Sequence, residues 1–378
     1  MKKKQSSVKQ PPLLEGMSAF LGQLYVRYRE MNEGRVSDAI PELSGVAQDA
    51  FGIAVVDVNG HGYEIGDSQM LFTIQSVANP FVYGMALEDL GSAHVERFVG
   101  LEPTGQAFNS IRLEHKTQRA HNPMVNAGAI ALSSMVQGAN PAQRLKRILK
   151  MFARYTGEDM RVSMPMFLSE RSTSHRNRAL AHLMCHVGIL EENIEETLDL
   201  YFQQCSLEVN CKMLATMGAT LANLGVQPCS QERLLSPKHV KDVLSIMFTC
   251  GMYNFSGEWA DAVGLPAKSG ISGGMLMVVP QQFGLAVYSP RLNQDAHSVR
   301  GIRVCEDIVK HFHLHVFDLL MGHSLFGDIE TEYLLQCPTR DVDAAQVLVH
   351  GATSNMSESD RPNPSKRSKS KKEKSKRS

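Results

Sequence analysis

The chain lacks most of the features that would tie it to a metal, a membrane or a nucleotide. Its seven cysteines (Cys185, Cys205, Cys211, Cys229, Cys250, Cys305 and Cys337) are odd in number, scattered, and form no C-x-x-C pair. That argues against a disulfide framework or a zinc site and for a reducing compartment. No apolar run of about 18 residues occurs, so no segment is expected to span a bilayer. There is no Walker loop and no G-x-G-x-x-G, so no nucleotide cofactor is implied. Tryptophan occurs once, and no RNA- or DNA-binding signature accompanies it. What remains is an ordinary globular composition, 43% hydrophobic and 21% charged, able to bury a sizeable core.

Acidic and basic residues balance at 39 each, but not along the chain. Residues 1–9 carry four lysines and no acid, and residues 361–378 carry nine Lys or Arg and one Glu. The stretch 10–360 is left with 26 basic and 38 acidic residues, a net of −12. An acidic body argues against nucleic-acid binding by the folded part. Residues 1–16 are expected to be a mobile basic segment without the apolar stretch of a secretory signal, and without the arginine of a mitochondrial transit peptide. A cytoplasmic protein is expected. Residues 351–378 hold almost nothing apolar and are expected to be disordered, as a solubility tail in preference to a nuclear-localisation or polyanion-binding one. Residues 317–350 carry no motif and are left as an appendage.

Between the tails the pattern predicts α+β, an antiparallel sheet carrying helices with a helical insertion. Residues 51–58 and 61–65 flank Asn59-Gly60, a strong hairpin signal of the type I′ kind. Residues 70–75 read as extended and residues 76–90 as a helix that tolerates Pro80 only in its first turn and stops at Gly91. Residues 127–230 are mostly helical in period. Ser236-Pro237 should open a helix that Gly251 closes. Residues 275–279 and 283–288 form a second hairpin, and residues 301–316 a last helix. Three histidines there, His311, His313 and His315, do not converge at helical spacing, so a metal site is not expected.

The chemistry centres on Ser76, at a strand-to-helix junction where a helix N-terminus favours developing negative charge. A serine there is more often only a cap. Downstream, Lys268-Ser269-Gly270 precedes a strand, and a Lys-[Ser/Thr]-Gly tripeptide paired with an upstream serine occurs in penicillin-binding proteins and serine β-lactamases. Glu170 could pair with a substrate ammonium, or simply with Arg171 at the surface. Tyr201 and Tyr253 could bind polar groups, or be amphipathic core residues.

Longer motifs carry a specific resemblance. The run from Gly100-Leu101-Glu102-Pro103-Thr104-Gly105 through His121-Asn122-Pro123-Met124-Val125-Asn126-Ala127-Gly128-Ala129 resembles the serine-dependent glutaminase family. Ser169-Glu170-Arg171, Tyr201-Phe202-Gln203-Gln204-Cys205-Ser206, Cys250-Gly251-Met252-Tyr253-Asn254-Phe255-Ser256-Gly257 and Leu265-Pro266-Ala267-Lys268-Ser269-Gly270 follow in the same order. The resemblance spans about residues 30–315. It implies a β-lactamase/transpeptidase-like fold in a domain of residues 17–316, and cofactor-free hydrolysis of L-glutamine to glutamate and ammonia by a homo-oligomer, often a tetramer. It also implies roles: Ser76 the nucleophile, Tyr253 its proton-transfer partner, Asn126, Glu170, Asn177 and Tyr201 the residues holding substrate, and the Ile271 backbone an oxyanion contact.

Two positions depart from the family. Asn79 stands where the Ser-x-x-Lys dyad has lysine, and Ala39 where a substrate-contacting tyrosine is usual. A primary amide cannot serve as a base, and losing a general base costs about 10²–10⁴ in rate. Two readings follow: a glutaminase whose base is Tyr253 or Lys268, and a relative that binds glutamine or glutamate with impaired turnover, as a sensor or hetero-oligomer partner.

Overall fold

The computed structural model describes residues 12–107 and 109–318; the expectations for residues 1–11 and 319–378 lie outside them. Helix α1 (Pro12–Tyr28) opens with proline, whose missing N–H is no loss in a first turn. It therefore starts five residues before Met17, and residues 12–16 are helical where a mobile segment was expected.

Strands β1 (Gly52–Asp57) and β2 (Gly62–Gly66) form the expected antiparallel hairpin. The turn is not type I′. Gly60 has φ +87, but Asn59 is not in the left-handed region. The Asp57 carboxylate organises the loop, accepting from the backbone N–H groups of Asn59 and His61. An acceptor inside the strand end thus replaced the second positive φ.

Strand β3 (Phe72–Thr73) leads into α2 (Asn79–Leu90), followed by the short α3 (Ser92–Val95). Helices α4 (Asn126–Ser134), α5 (Pro141–Thr156), α6 (Met164–Thr173), α7 (His175–His186) and α8 (Ile194–Cys205) make the helical insertion. Strand β4 (Glu208–Val209) pairs with β3, and α9 (Cys211–Ala222) returns to the sheet. Then come α10 (Pro237–Cys250), α11 (Ser256–Ala262), β5 (Ala267–Ser269), β6 (Gly274–Val279), β7 (Phe283–Tyr288) and α12 (Val299–Phe312). The main sheet has the order β2-β1-β7-β6-β5, antiparallel throughout.

Strand periodicity divides the core in two. Ala54, Val56, Leu276, Val278 and Ala286 enter the larger cluster with α9 and the helical insertion. Ile53, Val55, Met275, Met277, Leu285 and Val287 enter a second with α1 and α12. The central strands are buried on both faces, which is why they read as unbroken apolar runs.

Helix α10 closes at Gly251 as expected, though not in a left-handed conformation, and α12 ends early. Gly251 is right-handed at φ −67, so it is not a left-handed cap. A Cβ there would lie 1.8 Å from the Ala267 carbonyl oxygen; glycine lets α10 press against β5. Helix α12 ends at Phe312, with His313 left-handed at φ +51, instead of running to 316. The histidines then diverge: His311 stacks on Phe20, and His315 Nε2 lies 2.9 Å from the Ala260 carbonyl oxygen.

Arg300, 2% exposed, ties α12 to the loop after α1. Its guanidinium donates to the carbonyls of Met31, Arg29 and Asp49. Leaving such acceptors unpaired costs about 1–3 kcal/mol each. Arg300→Met is therefore expected to lower unfolding free energy by about 3 kcal/mol or more, read as the urea midpoint at unchanged slope.

Candidate active site

The turn that carries Ser76 is built under strain. Residues Gln75–Ala78 form a 3₁₀ turn between β3 and α2, and Gln75 enters it at φ +50, left-handed and buried. A non-glycine residue held there marks a conformation imposed by its surroundings. The Ile74 N–H is fixed by the Leu207 carbonyl at 2.8 Å. Ser76 is not the cap of α2: that position belongs to Ala78, and the Ser76 hydroxyl instead lies beside the Tyr253 phenol and opposes the rise in its pKa.

Tyr253 lies in a second 3₁₀ turn, Tyr253–Phe255, and is also left-handed at φ +53. Lys268 on β5 is wholly buried. Its Nζ lies 2.7 Å from the Tyr253 hydroxyl and 2.6 Å from the Ser269 carbonyl oxygen. Neither partner is an anion, and burial drives the lysine well below its ordinary pKa. Burial likewise pushes the Tyr253 phenol up, with the Ser76 hydroxyl opposing. Ser76, Tyr253 and Lys268 thus form one chain of contacts. Gly270 brings β5 to the Ser76 turn: a Cβ there would lie 3.1 Å from the Ile74 carbonyl oxygen and 3.3 Å from Gln75.

Asn79, the first residue of α2, is 1% exposed. Its Nδ2 donates to the Met124 carbonyl at 3.3 Å, and its Oδ1 has no partner among the described residues. Its amide is thus bonded to the segment that leads into α4.

The other residues singled out by sequence converge from four helices. Asn126 opens α4 and donates from Nδ2 to Asn177 Oδ1 on α7 at 2.9 Å. Glu170, on α6, is buried beside Gln75, whose side chain opposes the rise in its pKa, and its Oε2 has no partner among the described residues. The surface-pair reading of Glu170 fails: Arg171 points the other way and binds Asp199 at 2.6 Å, while burial raises the Glu170 pKa to about 8. Tyr201, on α8, is buried one turn before Cys205, and burial pushes its phenol up. Ile271, two residues beyond β5, packs with Ile40, Leu43 and Met166. Ala39 is exposed beside Ile40.

Sequence reasoning missed Gln75, Cys205 and His297. The Tyr201/Cys205 spacing of four on a helix could have flagged the thiol. Nothing local could have flagged His297, whose Nδ1 lies 2.6 Å from Ser269 Oγ. Among the described residues no cluster of His, Cys, Asp and Glu could hold a metal ion, and no helix is long and apolar enough to cross a membrane.

A family model described as Glutaminase matches residues 34–317. The chain belongs to the glutaminase family. The glutaminase of Trichormus variabilis is 53% identical over 298 residues, covering 79% of this chain and 89% of that protein. That of Nostoc sp. is 51% identical over 321 residues, covering 85% and 95%. Among solved structures, the probable glutaminase ybaS superposes with a TM-score of 0.78 at 38% identity, covering 80% of this chain and 98% of that one. Mglu in its glutamate form gives 0.77 at 38% identity, covering 82% and 71%. The expected α+β, β-lactamase-like glutaminase fold therefore holds.

Proposed function

We propose that this glutaminase-family chain hydrolyses the side-chain amide of L-glutamine to L-glutamate and ammonia through an acyl-enzyme on Ser76, with Lys268 as the terminal proton acceptor. The observation that carries this is the buried Ser76–Tyr253–Lys268 chain ending in an amine that burial favours as neutral. Ser76 Oγ attacks the amide carbon. Its proton passes to the Tyr253 oxygen as the phenol's own proton passes to the Lys268 lone pair. The backbone N–H groups of Ser76 and Ile271 face the developing oxyanion. Collapse expels ammonia, which takes the proton back along the same path, and water then hydrolyses the ester with the same groups. The amine thus stands in for the base that Asn79 cannot be. The relatives' names and the glutamate form of Mglu support the substrate.

The substrate's α-ammonium is assigned to Glu170, and its remaining polar groups to Asn126, Asn177 and Tyr201. The family resemblance supports a cytoplasmic homotetramer that needs no cofactor.

A pH signature tests this assignment. With its pKa raised to about 8, Glu170 is protonated below that pH in the free protein, and pairing with an ammonium requires the carboxylate. Binding therefore releases a proton, so kcat/KM is expected to rise between pH 6 and 8, by up to about tenfold per unit, and then level. Glu170→Gln should raise KM and flatten 1/KM over that window. Equimolar glutamate and ammonia should appear from glutamine throughout. Failure to consume glutamine at any pH would overturn the proposal, and an unchanged 1/KM profile in Glu170→Gln would overturn the ammonium assignment.

A further inference from the structure

Behind Lys268 lies a second buried pair that the reaction does not touch. His297 is fully buried, immediately before Ser298, the N-cap of α12. Its Nε2 lies 3.1 Å from the Met252 carbonyl oxygen, which can only accept, so Nε2 carries the proton. Nδ1 of the neutral ring is then bare and accepts from Ser269 Oγ at 2.6 Å. The ring also stacks on Tyr253, centroids 5.6 Å apart at 17°. Its own place is fixed by Asn293, whose Oδ1 accepts from the His297 N–H at 3.0 Å.

These contacts fall on both neighbours of the proton path. Met252 precedes the left-handed Tyr253, so holding its carbonyl holds the peptide that sets Tyr253's φ. Ser269 supplies the carbonyl that receives Lys268 Nζ at 2.6 Å and the Tyr253 hydroxyl at 3.4 Å. The pair is not a second nucleophile and base: Ser269 has no exposed surface, and His297 is backed by a carbonyl instead of a carboxylate.

We infer that His297 is a positioning residue, which through Met252, Ser269 and its stack on Tyr253 fixes the Tyr253 hydroxyl and the Lys268 amine in line with Ser76. The inference rests on the proposed function and adds a residue to it. Displacing a reacting group by about an ångström can cost on the order of 10²-fold. His297→Phe keeps the ring and the stack but loses both hydrogen bonds. Its kcat for glutamine should fall by about 10–100-fold with KM within about twofold, because no substrate-holding residue is disturbed. His297→Asn, whose Oδ1 can accept from Ser269, should recover most of the loss. Ser269→Ala should resemble His297→Phe, and the double variant should be no worse than either, since both break the same link.

Wild-type kcat in both His297→Phe and Ser269→Ala, while Ser76→Ala is dead, overturns the inference and leaves the proposed function standing. A loss of kcat in His297→Phe that His297→Asn does not reduce, or a rise in KM with lowered melting temperature in all three variants, indicates a merely structural role and also overturns it. If wild type releases no ammonia, both fall.

Discussion

Ser76→Ala is expected to bring ammonia release from glutamine to background, a loss of up to about 10⁶-fold in kcat, the size seen when one member of a catalytic unit is removed. More than the serine alone sets this loss. Its hydroxyl lies beside the Tyr253 phenol and is not spent on capping α2, and the turn that presents it is held at a left-handed Gln75. Gln75 in turn lies beside Glu170, which ties the Ser76 turn to the proposed ammonium site. Alanine removes no packing of consequence, so melting temperature should stay within a degree or two of wild type. Glutamate should still bind to Ser76→Ala by calorimetry, which separates lost chemistry from a lost site.

Lys268→Met is expected to lower kcat by about 10²–10⁴-fold, the range for a general base, with KM changed little. This variant distinguishes function from structure by sign. An amine buried with no anionic partner among the described residues is a liability to folding, and methionine fills nearly the same volume without needing a hydrogen bond. The variant should therefore be as stable as wild type or more so, while activity falls. A variant that is both unstable and inactive would show Lys268 to be a structural member of β5. A variant that is stable and fully active would remove Lys268 from the proton path.

The fold was legible wherever local pattern decides. The hairpin at Asn59-Gly60, the Pro237 helix start and the paired runs around Pro280 all stand where their residue types put them. Helix ends were less so, because long-range partners set them: Gly251 answers to the Ala267 carbonyl on another element, and Asp57 rebuilt the first turn. The site divides the same way. Ser76, Glu170, Asn126, Asn177, Tyr201 and Tyr253 could each be singled out in sequence, but Glu170 with Arg171 read equally well as a surface pair. Only tertiary structure turns Glu170 inward and gives Arg171 to Asp199. Lys268 meets Tyr253 across 15 residues and His297 meets Ser269 across 28, and no spacing rule reaches that far. The left-handed φ of Gln75 and Tyr253 is likewise invisible in residue types that ordinarily avoid it.

The gap left by the dyad lysine is the point on which the account turns. Asn79 donates to the Met124 carbonyl, its Oδ1 has no partner among the described residues, and its amide cannot serve as a base, so the proposed mechanism relies on Lys268, which meets Tyr253. The most direct measurement is steady-state ammonia release from glutamine by wild type, Ser76→Ala and Asn79→Lys, assayed side by side. The account predicts turnover by wild type that depends on Ser76 and does not wait on a lysine at position 79. Wild type at the Ser76→Ala background, with activity appearing only in Asn79→Lys, would contradict it.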